Sequence, residues 1–304
     1  MRAALQGGTC HNFAGKILVI GIRPTVDFAF KVVFGSRRHA AVTIHFLNAV
    51  LGLGPRITKV EFLDPKLGQE SAADKLSILD IRATDEHGRS LNIEMQTTLP
   101  AGMSQRLAYY ASRLYVSQMT EVTRYADLRP AVSICVLTKS MFPAIPELHL
   151  DFRLREVSGK LLTDDVQIHL VELPKLRVTA ENVREATPIE QWAFFLQNAH
   201  VLTLEEIQQL FPDPEFSEAA GVLEMISLTP AQHQLYEDRL KAQKDAEARL
   251  EGARLEGNLQ SRVQLLQELL GITAPSADEL SSYSAPQLSI LEEELKSQLR
   301  DRLR

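Results

Sequence analysis

Two short apolar strands, each carrying an acid, flank a single polar turn: Lys75-Leu76-Ser77-Ile78-Leu79-Asp80-Ile81-Arg82, then Leu91-Asn92-Ile93-Glu94-Met95-Gln96. An acid among Ile and Leu loses hydration and is costly unless something neutralises it, and a divalent cation is the natural candidate. The turn fixes the register. Asp85 to Arg89 closes around Glu86-His87-Gly88, a three-residue loop with glycine where such hairpins want a left-handed backbone. Facing residues then sum to a constant, which sets Asp85 opposite Arg89, Arg82 opposite Asn92, Asp80 opposite Glu94 and Ile78 opposite Gln96. Leu91, Ile93 and Met95 point one way; Asn92, Glu94 and Gln96 share the other face with Asp80 and Arg82. Like charges directly opposite repel, and a cation between them removes the conflict. One carboxylate on a strand is ordinarily a solvated edge position. Two that face each other, with Gln96 next on the same face, read as a site.

The same residues carry a family resemblance. An acid on one strand followed by an acid-x-lysine on the next resembles the PD-(D/E)XK nuclease superfamily, with Glu94-Met95-Gln96 as the second half and glutamine in place of lysine. Pro24-Thr25-Val26-Asp27-Phe28-Ala29-Phe30-Lys31-Val32-Val33-Phe34-Gly35 upstream and Arg106-Leu107-Ala108-Tyr109-Tyr110 downstream make the chain similar to the recombination-promoting nuclease (Rpn) family, often labelled transposases. The likeness runs from about Ile22 to beyond Trp192.

The resemblance implies an α/β fold with a restriction-endonuclease-like αβββαβ core and a mixed central sheet, followed by an α-helical C-terminal region. It implies a metal-dependent DNA endonuclease of bacterial type, acting in recombination, in mobile elements or in defence. Asp80, Glu94 and Gln96 are the expected catalytic residues. Asp80, Glu94 and the Met95 backbone carbonyl would hold Mg²⁺ or Mn²⁺, with waters completing an octahedron. Gln96 is no cationic base, but its amide can donate to the phosphate or orient the nucleophile. Asp27 and Lys31, a plain i, i+4 surface pair by spacing, recur in the family's opening motif near the active face. The alternative is a catalytically silent member that binds DNA or assembles with protein partners. Strand transfer in the strict sense is not expected, because no separate DNA-binding motif and no third well-placed acid accompany the pair.

Elements in the expected order support this core. Asp27 is read as the cap of a helix over Phe28 to Phe34, and a second helix runs from His39 to Leu51. Strands follow at Ile57 to Leu63, in the acid hairpin, at Ala131 to Thr138, Leu148 to Val157 and Val166 to Leu173, with a helix from Ser104 to Met119 before the third of these segments. Phe28, Phe30, Phe34 and Trp192 are expected in the core. On the middle helix Gln105 and Tyr109 stand one turn apart, a Gln-x-x-x-Tyr pattern known from exonuclease branches of the superfamily. Tyr109, Tyr110 and Tyr115 suit core packing and phosphate contact equally.

DNA as substrate raises an electrostatic difficulty, since 33 Lys and Arg face 39 Asp and Glu, a net charge of -6 with no global attraction to phosphate. Positive charge must be local, drawn from Lys31, Arg37, Arg38, Arg56, Lys59, Arg82, Arg106, Arg113, Arg124 and Arg129, with Arg106 the strongest candidate. Two cysteines, Cys10 and Cys135, imply no disulfide framework, and Ile17 to Ile22 is too short to cross a bilayer or to act as a signal core. A cytoplasmic protein with no membrane partner is expected.

Four regions follow: 1–21, an N-terminal extension, disordered, upstream of the true start or an added strand; 22–200, the nuclease-like domain; 201–230, a helical extension in which Ser217 caps a helix to Leu228; and 231–304, a charged tail. The tail repeats Ala248-Arg249-Leu250-Glu251-Gly252 as Ala253-Arg254-Leu255-Glu256-Gly257. Glycine costs a helix about 1 kcal/mol each time and a period of five sustains no heptad seam, so the repeat reads as a flexible charged helix or hinge. Val263 to Leu270 and Ala285 to Leu303 form the expected terminal hairpin. Leu265, Leu266, Leu269, Leu288, Leu291, Leu295 and Leu299 would pack there or join a second copy as a homo-oligomer.

Overall fold

A computed structural model describes residues 19–52, 56–64, 66–67, 77–78, 80–270, 272, 280 and 282–302. The chain forms two compact units, 1–241 and 242–304. Expectations for residues 1–18 lie outside the described residues; Ile20 is buried and its amide donates to the Leu202 carbonyl at 2.9 Å.

The first unit is built on a six-stranded mixed sheet. In chain order the strands are β1 (Val60–Leu63), the short β2 (Lys66–Leu67) and β3 (Ser77–Ile78), β4 (Ile81–Asp85), β5 (Ser90–Gln96), β6 (Ala131–Leu137), β7 (His149–Arg155) and β8 (Leu161–Glu172). The order across the main sheet is β1-β4-β5-β6-β8-β7, while β2 and β3 pair only with each other. β5, β6 and β8 are parallel; β1 with β4, β4 with β5 and β7 with β8 are antiparallel. Helices α1 (Asp27–Phe34) and α2 (Ala40–Leu51) precede this sheet, and α3 (Met103–Val116) links β5 to β6. The element order α–β–β–β–α–β and the α/β restriction-endonuclease-like fold are therefore as expected.

Each sheet face is covered for a reason legible in the side chains. Leu91, Ile93 and Met95 of β5 and Val132, Ile134 and Val136 of β6 are buried in one cluster with α1, α2 and the helix α4 (Pro188–Asn198). Trp192 anchors that layer: its ring centroid lies 5.4 Å from Phe34, 5.8 Å from Phe46 and 4.3 Å from Phe216, and its indole N–H donates to His45 Nδ1 at 3.0 Å. Aromatic rings in tilted and edge-on contact bury large areas while satisfying their quadrupoles. Helices α5 (Leu204–Leu210) and α6 (Pro214–Leu228), in the segment read as an extension, join the same core through Phe211 and Phe216, 4.4 Å apart. On the other face α3 lays Met103 and Leu107 against Cys135, Leu137 and Leu170.

Two local readings need correction. Asp27 is not a cap but the first residue of α1, behind Val26, and its carboxylate pairs with Lys31 Nζ at 2.7 Å. Ser217 lies inside α6, which starts at Pro214 with Asp213 ahead of it; proline at the first helical position loses no hydrogen bond and presets φ. Of the two readings of the pentapeptide repeat, a charged helix or a hinge, the helix is the one found: α7 runs from Pro230 to Leu270 through both glycines. In the second unit, Val263 and Leu270 of α7 and Leu288 and Leu295 of α8 (Ala285–Arg302) are buried together, with Leu259, Leu266, Leu291 and Leu299 packed on them. Leu265 and Leu269, expected to pack in that hairpin or on a second copy, are exposed in this chain.

Candidate active site

The hairpin that opens the site folds as its turn chemistry demands. Gly88 takes φ +77°, the Asp85 amide donates to the Arg89 carbonyl at 3.2 Å, and Asp85 Oδ1 accepts from the His87 and Arg89 amides at 3.0 and 2.9 Å. The ladder then runs in the expected register, Thr84 with Ser90, Ala83 with Leu91, Arg82 with Asn92 and Ile81 with Ile93. There it stops. Asp80 stands at a bend just ahead of β4, not inside a strand, and Ile78 pairs with Lys66 of β2 instead of Gln96. Continuing the ladder would put two desolvated carboxylates side by side. The break lets Asp80 Oδ2 accept from the Met95 amide at 3.2 Å, so a side chain occupies the place of the missing strand partner.

Around Asp80 and Glu94 the fold gathers several of the sequence candidates. Lys31 Nζ lies 3.1 Å from Asp80 Oδ1 as well as 2.7 Å from Asp27, so α1 delivers an ammonium to the acid hairpin. Glu94 is buried and takes a hydrogen bond from Asn92 Nδ2 at 2.9 Å on Oε1. Its Oε2 is buried with no partner. The Gln96 carbonyl accepts from the Thr138 amide at 3.0 Å on the β6 side.

Burial pushes the Glu94 carboxyl above the ordinary glutamate value, and the Asp80 charge adds to it; the Asn92 donor, the Arg106 guanidinium and Gln96 oppose the shift without cancelling it. Burial likewise raises Asp80, with Lys31 opposing and Asp27 adding. Burial draws the proton affinity of Lys31 down, but the hydrogen bond and charge of Asp27 and the charge of Asp80 outweigh it, so the net shift is upward and the ammonium stays charged. Two carboxylates held reluctantly ionised are what a cation would relieve.

Other expectations fare differently. Arg106 is exposed, acts on Glu94 through its field, and stands with its guanidinium carbon 5.3 Å from the Tyr110 ring centroid. Gln105 and Tyr109 are exposed on α3, and the Tyr109 ring lies 5.7 Å from that of Tyr110. Tyr110 and Tyr115, half-buried, pack on Leu114 and Ala131. Arg124 is committed to Asp127. The residue that sequence reasoning missed is Cys135. The parallel pairing of β5 with β6 sets it beside Glu94, and its buried thiol is pushed well up, first by burial and then by the Glu94 and Asp80 charges, so it is a neutral neighbour and no nucleophile. The register of a parallel pair is set by the crossover, so no local pattern announces it.

The donor set fits a hard cation. Two carboxylates, one with an orphaned buried oxygen, are oxygen donors of the kind Mg²⁺ takes while keeping several waters. Among the described residues no group of three or more His, Cys, Asp or Glu side chains is arranged to hold a metal, so waters and substrate oxygens would complete the shell. The chain belongs to the PD-(D/E)XK nuclease family transposases, which it matches over residues 24–253. No curated protein and no solved structure matches it. Among the described residues no helix is long and apolar enough to cross a membrane.

Proposed function

We propose that this chain is a metal-dependent endodeoxyribonuclease that hydrolyses phosphodiester bonds at Asp80, Glu94 and Gln96. The observation that carries the reading is Glu94 Oε2, a buried oxygen without a partner, beside a second desolvated carboxylate at the broken end of the ladder. A native fold seldom strands such an atom, and each case calls for an explanation such as an ion.

Asp80, Glu94 and the Met95 carbonyl would hold Mg²⁺ or Mn²⁺. When bound, the ion supplies Lewis-acid polarisation of the scissile phosphate and lowers the pKa of water. The chain's own residues do the rest. Asn92 fixes one Glu94 oxygen at 2.9 Å and leaves the other for the ion. Gln96 donates its amide hydrogens to a phosphate oxygen or to the attacking water. Lys31, on α1 and outside the Glu-x-Gln strand, brings the cation that Gln96 lacks. Its raised pKa makes it an electrostatic partner for phosphate and not a base. A water oxygen forms the new bond to phosphorus as the bond to the leaving deoxyribose oxygen breaks, and the proton that the water gives up ends on that leaving oxygen.

Plasmid nicking with Mg²⁺, Mn²⁺ and Ca²⁺, run beside Asp80→Ala and Glu94→Ala, tests this. Cutting is expected with Mg²⁺ or Mn²⁺ and is expected to vanish in both variants; cutting that survives either substitution would sink the site. DNA binding indifferent to Mg²⁺, with no cleavage by the unaltered chain, would select the silent binding module instead.

A further inference from the structure

A second polar hollow opens beside the candidate site and is left unused by the reading above. It is a cleft of about 250 Å³ lined by Arg23, Thr25, Thr138, Leu173, Leu196, Gln197 and His200. That volume is below the roughly 300–1,000 Å³ of sites that enclose whole drug-sized ligands, so it suits a small group. None of its lining residues is acidic, although acids outnumber bases 39 to 33 in the chain.

The donors converge because the backbone holds them there. The Gly21 amide donates to the His200 carbonyl at 3.0 Å, tying the segment that carries Arg23 to the one that carries His200. The Arg23 amide donates to the Tyr236 hydroxyl at 3.0 Å, and Pro24 follows, which keeps Arg23 extended. The Arg23 guanidinium is exposed and, among the described residues, no carboxylate pairs with it. Gln197 spends one amide hydrogen on the Leu173 carbonyl at 2.7 Å and keeps a second. The imidazole of His200 has its proton affinity lowered by burial and then by the Arg23 charge, so the ring is held toward its neutral form within the field of that guanidinium. Thr138 joins the cleft to the site: its amide donates to the Gln96 carbonyl at 3.0 Å and its hydroxyl to the Thr97 carbonyl at 3.2 Å. Thr25 lies two residues ahead of Asp27.

We propose that this cleft binds a phosphate of the nucleic acid next to the one that is cut, with the Arg23 guanidinium as the anchor and Thr25, Gln197 and His200 as accessory donors. The proposal rests on the nuclease reading for its substrate. It answers the electrostatic difficulty of an acidic chain that must hold DNA, since one acid-free recess with an arginine supplies local charge where the global charge is adverse.

The test uses the full chain carrying Asp80→Ala, which cannot cut, and a fluorescent duplex oligonucleotide with Ca²⁺. Adding Arg23→Ala is expected to weaken binding about tenfold and to flatten the slope of log affinity against log salt by about 0.7–0.9, the loss of one phosphate contact. Arg23→Lys should restore most of the slope. In the unaltered chain, inorganic phosphate should shift the His200 ring resonance saturably where chloride at equal ionic strength does not, and Arg23→Ala should abolish that response. Oligonucleotides with and without terminal phosphates separate the sources: a loss seen on both marks an internal diester, a loss confined to phosphorylated ends a terminal monoester. Unchanged affinity and slope in the Arg23→Ala chain would overturn the cleft while leaving cleavage by the unaltered chain untouched. A lost slope in a chain that never cuts DNA would keep the cleft and remove the nuclease reading.

Discussion

Glu94 and Glu172 are both buried glutamates on the α3 face of the same sheet, and they are treated in opposite ways. Glu172, at the end of β8, accepts from the Ser140 hydroxyl at 2.7 Å and the Phe142 amide at 3.1 Å and pairs with Lys175 Nζ at 2.9 Å. Its charge is met on every side by protein, and it staples the chain after β6 to the end of β8. Glu94, two strands away on β5, has one oxygen served by Asn92 and the other stranded, and its nearest charged neighbours include a second acid. The contrast separates two uses of a buried carboxylate. Where the protein supplies all partners, the acid is architecture; where it withholds one, the vacant valence is a candidate for ligand chemistry.

Exchanging each for glutamine breaks the comparison in the sharpest way. Glu172→Gln leaves the buried Lys175 ammonium uncompensated, for which about 3–5 kcal/mol of stability is expected to be lost, with nuclease activity per folded molecule unchanged. Glu94→Gln should do the reverse. Metal stabilisation of a transition state is worth several kcal/mol, so cleavage should fall by about 10³-fold, while the metal-free melting temperature holds or rises because a desolvated charge has been removed. Denaturant unfolding and nicking rates on the same two preparations decide the matter. A Glu94→Gln chain that melts early and still cuts would erase the distinction.

Lys31 refines the comparison, because it is the cation the fold offers to Asp80 in place of a full complement of partners. Lys31→Met is expected to slow cleavage by about 10²-fold, the usual loss of one electrostatic donor. Metal binding should be as tight or tighter, since a like charge has left the neighbourhood of the carboxylates. Mg²⁺ titration by calorimetry beside single-turnover cutting reads both quantities. Loss of metal affinity in step with rate would mean that Lys31 only shapes the site.

Much of this arrangement is written locally. The Glu86-His87-Gly88 turn set the pairing of Arg82 with Asn92, and alternation along β5 put Asn92, Glu94 and Gln96 on one face. What the strand pattern could not contain is where β4 begins. Leu76 to Ile81 reads as one apolar run, but Asp80 gains more from the Met95 amide and Lys31 than from a ladder position facing Glu94. Those partners come from residues distant in sequence. Cys135 beside Glu94 depended on a crossover of more than thirty residues, from Gln96 to Ala131. The Asp27 and Lys31 spacing showed an ion pair but not that Asp80 completes it. In α7 two glycines at about 1 kcal/mol each leave helix and hinge both open to a local reading, while the Ala, Arg, Leu and Glu around them are strong helix formers and carry the helix through.

The smallest effect, and the one that probes the vacant valence most directly, is the pH dependence of metal stabilisation. Asp80 and Glu94 titrate above their ordinary values of 3.8 and 4.5 in the folded metal-free chain. Between those values and the raised ones the folded chain holds protons that the unfolded chain has released, so these two groups cost stability as pH rises through that window and return it as pH falls. A bound cation requires both ionised and competes with those protons. The Mg²⁺-induced rise in melting temperature should therefore be full above the raised values, shrink as pH falls through them toward 4.5 and 3.8, and vanish below. With Mg²⁺ at a hundredfold excess over its dissociation constant the stabilisation is about 2.7 kcal/mol, a shift of several degrees at roughly 2–4 °C per kcal/mol. Glu172→Gln should lower both melting curves and preserve the difference between them, whereas Glu94→Gln should abolish the difference at every pH. A Mg²⁺ shift that is flat across the acid range, or that persists in the Glu94→Gln chain, would place the cation elsewhere and return Glu94 to the same class as Glu172.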